Sequence, residues 1–265
     1  MVIKKHLSLY KTLFKYNLQN TTVYRLDFIM GVIVDIGYQL ATIFFYSVVL
    51  LRVNSIGDWS YHEVMLFTGI SIIFMQFYFA LLWVFNIQDL PSKIKNADVD
   101  LLFLKPINSM FYLTLSKQYI SGFFSMLSGV FLIIYSLINL NLHFNIVNIL
   151  SFIVMFIFGL IICYSLTVII TSFSFKYSNT NALSYLASSI TGLNSTKPHI
   201  IYEGIFKKVF FYVIPVSFMS SIPSSFLFKG FNASLFFQSS IITLVTFLLS
   251  VLFWNYNVKS YTSAG

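Results

Sequence analysis

The chain has 265 residues, 58% apolar, 19% aromatic and only 9% charged, with a mean hydropathy of +0.83. Soluble domains carry about 25% charged residues, so this chain lacks the charge to solvate a globular surface and is predicted to be a polytopic membrane protein. The formal net charge of +8 does not indicate nucleic acid, because the basic residues punctuate the ends of apolar runs instead of clustering on one face.

Residues 1–27 carry Lys4, Lys5, Lys11, Lys15 and Arg25, and Ile3, Leu7, Tyr10, Phe14 and Leu18 recur at spacings of three and four. That pattern predicts a basic amphipathic helix lying in the cytoplasmic interface. The alternative is a helix packed on the protein's own cytoplasmic side, and both readings put the N-terminus inside. No secretory signal peptide is expected, since the first apolar run comes late and no small-residue cleavage site follows it.

A helix needs about 20 apolar residues to cross a hydrocarbon core. Phe28–Leu51, Val64–Phe85, Tyr119–Leu140, Ile149–Phe173 and Leu235–Trp254 meet that length. The connections at 52–63 and 139–148 are nearly free of Lys and Arg and are predicted to face outside. The loop 86–110, with Lys93, Lys95 and Lys105, is predicted to face inside, as are the turn at Lys176 and the tail at Lys259. Between 177 and 234 the pattern is ambiguous. Tyr177–Thr196 is uncharged but rich in Ser, Thr and Asn, whereas Val209–Phe228 is more apolar but broken by Pro215 and Pro223. Only one of them fully crosses if the tail stays inside. The positive-inside count favours the second; in the alternative the first crosses and the second dips in and returns, where proline-broken backbone is buried in protein or lines a cavity.

Asp35 is an acid inside a span, and such residues usually face a bundle interior or a wet cavity. One reading has it lining a substrate path selective for cations; the other has it paired locally. Gln39 lies one helical turn beyond it, and Gln76 in the second span is a further polar partner. Phe77 sits among Phe74, Tyr78 and Phe79, rings able to stack on a cationic ligand but more commonly used for packing.

Catalytic chemistry finds no support. Cys163 is the single cysteine, which excludes an intramolecular disulfide or a thiolate cluster. His6, His62, His143 and His199 are far apart, and no Ser/His/Asp set shares a plausible depth. No Gly precedes Lys-Ser or Lys-Thr, so a nucleotide-binding loop is absent. The conspicuous charged stretch is Ile94 to Ile107, where Asp98, Asp100 and Lys105 interrupt an apolar sequence and Pro106 stops a helix. The bland reading is a solvated loop; the functional one is a docking surface.

Three places resemble the permease subunits of bacterial type-2 ABC exporters, in the branch that pairs two related permeases with one ATPase type. Ala97 through Asp100 to Leu104-Lys105-Pro106 is similar to the branch's Gly-x-x-Asp-x-x-Leu-Leu-Arg-Pro loop, with Ala97 in place of Gly and Lys105 in place of Arg. Pro198 to Pro223 resembles its proline-punctuated segment, and Trp254 with Tyr261-Thr262-Ser263-Ala264-Gly265 resembles its C-terminal ending. The resemblance implies an all-α membrane protein forming one permease domain over 1–265. Six transmembrane helices, an N-terminal interface helix (1–27) and a cytoplasmic coupling helix between spans 2 and 3 (86–110) are implied. So is an outer re-entrant hairpin before span 6 (197–230), which makes Tyr177–Thr196 the fifth span and His199–Phe228 the hairpin. The implied partners are ABC ATPase subunits docked on 89–106 through Asp98, Asp100, Lys105 and Pro106, a related second permease, and the lipid bilayer. ATP and Mg would be bound by the partner ATPase, with no cofactor on this chain. The implied activity is outward movement of an amphiphilic drug or xenobiotic cation across the bacterial cytoplasmic membrane. The competing class is a passive pore or membrane scaffold that needs no ATPase.

Overall fold

A computed structural model of the chain describes residues 2–81, 90–105, 108–110, 112, 118–140, 145–177, 182, 185–186, 189, 192 and 197–261. The helices in chain order are α1 (Val2–Val23), α2 (Arg25–Arg52), α3 (Tyr61–Tyr78), α4 (Leu90–Lys95), α5 (Asp100–Phe103) and α6 (Ile120–Leu140), then α7 (Ile146–Ser172), α8 (Gly204–Lys208), α9 (Ser221–Phe228) and α10 (Ala233–Lys259). A two-stranded ribbon, β1 (Ser55–Ile56) against β2 (Trp59–Ser60), joins α2 to α3. Its turn needs a left-handed residue, and Gly57 supplies it at φ +61°.

Among the described residues five helices are long and apolar enough to cross a membrane: Arg25–Arg52, Tyr61–Leu81, Ile120–Leu140, Ile146–Phe175 and Ala233–Lys259. They coincide with the five runs read from the sequence. Three of their entries are fixed by local polar caps. The Ser60 N–H donates to Glu63 Oε2 (2.7 Å), while the Asn145 and Asn232 side chains accept from Val147 N–H and Leu235 N–H (both 3.0 Å).

α3 is the central pillar, with 78% of its apolar window buried against 6% for α2. It is apolar all round and studded with Gly, Ser and Gln, as a helix surrounded by other helices should be. In a bilayer no hydrophobic force drives helices together, so close backbone approach matters more. Gly69 of α3 and Gly129 of α6 supply it, since a Cβ on either would lie within about 3.0 Å of the other's carbonyl oxygen. Hydroxyl pairs add directionality, with Tyr78 Oη 2.7 Å from Thr167 Oγ1 and Ser71 Oγ 3.0 Å from Ser220 Oγ.

Buried apolar residues form three clusters. The middle one joins Phe74 and Tyr78 of α3 to Ile162 and Cys163 of α7 and to Phe218, Met219 and Ile222. One end holds Tyr46, Leu50, Trp59 and Phe67; the other holds Leu90, Ile94, Val99, Val168, Phe175 and Trp254.

Val209–Phe228 is not one crossing helix, contrary to the reading favoured by the positive-inside count. A π-helical turn at Val209–Val213 ends before Pro215, a 3-10 turn follows at Val216–Phe218, and α9 then runs to Phe228. Proline lacks the N–H that would continue the ladder. The 216–219 turn instead sits directly on α7, where a Cβ on Gly159 would fall 2.2 Å from the Met219 carbonyl oxygen. Of the competing fifth span, Tyr177–Thr196, all but Tyr177, Ala182, Tyr185, Leu186, Ser189 and Gly192 lies outside the described residues.

Candidate functional site

The charged stretch between α3 and α6 folds as two short helices around a strained turn. Asn96 N–H donates to the Ser92 carbonyl (3.0 Å), Ala97 N–H to Ile94 (3.2 Å) and Asp100 N–H to Ala97 (3.1 Å). Closing that turn puts Ala97 at φ +60°, in the left-handed region where a non-glycine residue is uncommon. This is the position at which the sequence resemblance expects glycine, and the backbone geometry says why.

One face of this segment is an anchor. Leu90, Ile94 and Val99 are buried against Val168 of α7, Phe175 and Trp254 of α10. The Phe103 ring lies 6.2 Å from Phe175 and 6.1 Å from Tyr261, and Trp254 meets Phe175 edge-on at 5.2 Å. Two motifs far apart in sequence, the loop and the tail, therefore meet at one end of the bundle. The other face turns outward. Asp98 is exposed, Asp100 is half-buried in the first turn of α5, and Leu101 and Leu104 are 68% and 81% exposed. Lys105 Nζ donates to Tyr112 Oη (2.9 Å) and lies 4.2 Å from the centre of that ring. Pro106 lies outside the described residues. The sequence drew attention to the charges and not to the two outward leucines, which only the fold distinguishes from their buried neighbours.

Within the membrane, three of the four path candidates converge. Asp35 Oδ2 accepts from Ser125 Oγ of α6 (2.9 Å), and the Gln76 side chain hydrogen-bonds the same carboxylate. The buried Gln39 amide oxygen accepts from Ser128 Oγ. The result is a polar seam joining α2, α3 and α6, in which Asp35 is satisfied locally. Phe77 stands apart, its ring 6.4 Å from both Phe123 and Phe156, and lines a cavity of about 540 Å³ bounded by α3, α7 and α10. The partners Ser125 and Ser128 carried a signal not read from the sequence: with Ser121 they form a small polar stripe at helical spacing.

At the opposite end from the α4–α5 segment, the β1–β2 ribbon is clamped to residues 198–229. Asp58 pairs with Lys229, and Trp59, fully buried, meets His199, Phe228 and Phe67 at 5.5, 5.0 and 5.6 Å. His199 N–H donates to Ser221 Oγ (2.7 Å), and Nδ1 lies 2.7 Å from the same oxygen. The hydrogen bond from Lys229 holds the Asp58 carboxyl below the usual carboxylate range. Burial, reinforced by Lys229 and Lys207, pushes His199 down to about 4. Among the described residues no group of three His, Cys, Asp or Glu is arranged to hold a metal ion.

The family model described as ABC-2 family transporter protein matches residues 36–265. Neither the curated proteins nor the solved structures returned a match. The matched span takes in the seam apart from Asp35, which it just misses, together with the α4–α5 segment, the clamp and the tail, and leaves out α1 and the start of α2.

Proposed function

The chain belongs to the ABC-2 family of transporter proteins, and from that premise we propose that it is the permease of an ATP-driven exporter worked by a separate ATPase docked on residues 89–106. Family membership makes it a multi-pass membrane transport subunit, not itself catalytic, that associates with ABC ATPase subunits. The observation that carries the finer reading is the two-faced α4–α5 segment. Its buried face grips the ends of α7 and α10, while Asp98, Leu101 and Leu104 project from the bundle. A push on the outward face would reach both helices through Leu90, Ile94 and Val99, because close-packed side chains transmit displacement instead of absorbing it.

In this reading Asp98, Asp100, Lys105 and Pro106 face the ATPase, which binds ATP and Mg. A related second permease completes the path, both termini are cytoplasmic, and six helices cross the bacterial cytoplasmic membrane. Residues 197–230 form the outer re-entrant segment, a reading supported by their short, proline-broken helices packed on α7 and α3. The cargo is an amphiphilic cation moving outward, with the Asp35–Gln39–Gln76 seam as the polar element of its path and Phe77 on a neighbouring wall.

Co-purification tests this. A tagged chain extracted in mild detergent should bring an ATPase with it. Asp98→Lys with Asp100→Lys should abolish that recovery at unchanged thermal stability, and Leu104→Ser should weaken it. Recovery unchanged in all variants would refute docking on 89–106, and a chain active without any ATPase would point to a pore or scaffold.

A further inference from the structure

A cavity of about 1100 Å³ lies between the second half of α2 and residues 197–210. Six rings line it: Tyr38, Phe45 and Tyr46 from α2, and Tyr202, Phe206 and Phe210 from the facing segment. Tyr38, Phe45 and Phe206 are 61%, 58% and 64% exposed, so the cavity opens sideways along a membrane helix and not towards the bundle centre. A drug-sized ligand fills about 300–1,000 Å³, so this space is larger than such a ligand needs.

Its polar groups are few and of opposite sign. Lys197 and Glu203 are the charged residues of the described lining. Tyr202 lies tilted against Phe210 with ring centres 4.5 Å apart, and its buried hydroxyl has no hydrogen-bond partner among the described residues. A buried hydroxyl without a partner is costly and calls for an acceptor.

We propose that this cavity holds one zwitterionic phospholipid as a resident ligand. Its acyl chain lies along the α2 rings, its phosphate is bound by Lys197 and the Tyr202 hydroxyl, and its ammonium by Glu203 with the neighbouring rings. An apolar space open to a bilayer is filled by hydrocarbon, which needs no dehydration to enter. A cation and an anion on the same lining match a headgroup that carries both charges, and match neither an anionic lipid nor a simple cation. The site is separate from the Asp35 seam and stands whether or not the export reading holds.

The test uses the full chain in vesicles of equimolar phosphatidylethanolamine and phosphatidylglycerol, extracted gently and weighed by native mass spectrometry. Wild type should retain one phosphatidylethanolamine in preference to phosphatidylglycerol. Glu203→Lys should reverse that preference by about fivefold or more, since each basic residue near a headgroup is worth roughly one such factor. The double exchange Lys197→Glu with Glu203→Lys should restore the zwitterionic lipid, which separates charge recognition from misfolding. Equal retention of the two lipids by wild type, or an unchanged preference in Glu203→Lys, would overturn the proposal. So would the absence of any retained lipid, which would assign the cavity to residues 177–196 or to a second permease.

Discussion

Ala97 shows how a single side chain records a geometric demand. Its φ of +60° is one that glycine adopts freely, and β-carbon crowding makes it unfavourable for alanine. Ala97→Gly should therefore be tolerated or stabilising, by up to about 1 kcal/mol, while Ala97→Val should lower the thermal midpoint in detergent. His199 makes a second prediction, of pH dependence. Its folded-state value near 4 lies below the unfolded value of about 6.5. The unfolded chain thus binds the proton first, and stability falls as pH drops from about 6.5 to about 4. Asp58, already depressed by Lys229, adds its own loss only at still lower pH. His199→Gln should flatten the upper window of thermal scans taken against pH. Asp35→Asn keeps an acceptor for Ser125 but removes the charge. If Asp35 selects cations, uptake of a cationic dye into inverted vesicles should fall while transport of a neutral analogue persists.

At the scale of elements, the decisive contacts are places where backbone meets backbone. The 216–219 turn seats on α7 only because residue 159 has no side chain. Gly159→Ala should lift that turn, and the chain carries its own reporter in Cys163, a buried free thiol in the same cluster. Thiol labelling of folded protein should be negligible in the wild type and many-fold faster in Gly159→Ala. The Gly69–Gly129 contact obeys the same rule between α3 and α6. By contrast α4 and α5 are too short to be stable alone. They are held by Leu90, Ile94 and Val99, and truncating Ile94 to Ala should cost about 2–5 kcal/mol and loosen the segment before it touches docking.

For the whole molecule, the two ends of the bundle are built differently. One end gathers the α4–α5 segment, Phe175, Trp254 and Tyr261; the other clamps the β1–β2 ribbon to residues 198–229 through Trp59, His199 and the Asp58–Lys229 pair. The orientation proposed above puts the first inside and the second outside. A single cysteine at Lys208 in a Cys163→Ala background should then label in intact cells with an impermeant reagent, whereas one at Asn96 should be protected there and label only in inverted vesicles. Labelling of Lys208 from inside would reverse the placement of 197–230.

The sequence alone determined the solvent, the five clear spans and the charged loop that stands out between two of them. Apolar run length answers to bilayer thickness, and charge placement answers to which groups water must solvate. It also marked Asp35, Gln39 and Gln76 as companions, because helical spacing and membrane cost act locally. It did not show that Ser125 and Ser128 satisfy them, that Phe77 faces elsewhere, or that Leu101 and Leu104 point outward. Those outcomes depend on which faces meet across three or more helices. Nor did charge counting resolve Val209–Phe228, since a turn seated on a glycine of another helix leaves no trace in its own composition. Tertiary structure decided these points because in lipid the helices are sorted by close fit and hydrogen-bond satisfaction, and both are properties of pairs of segments and not of either one.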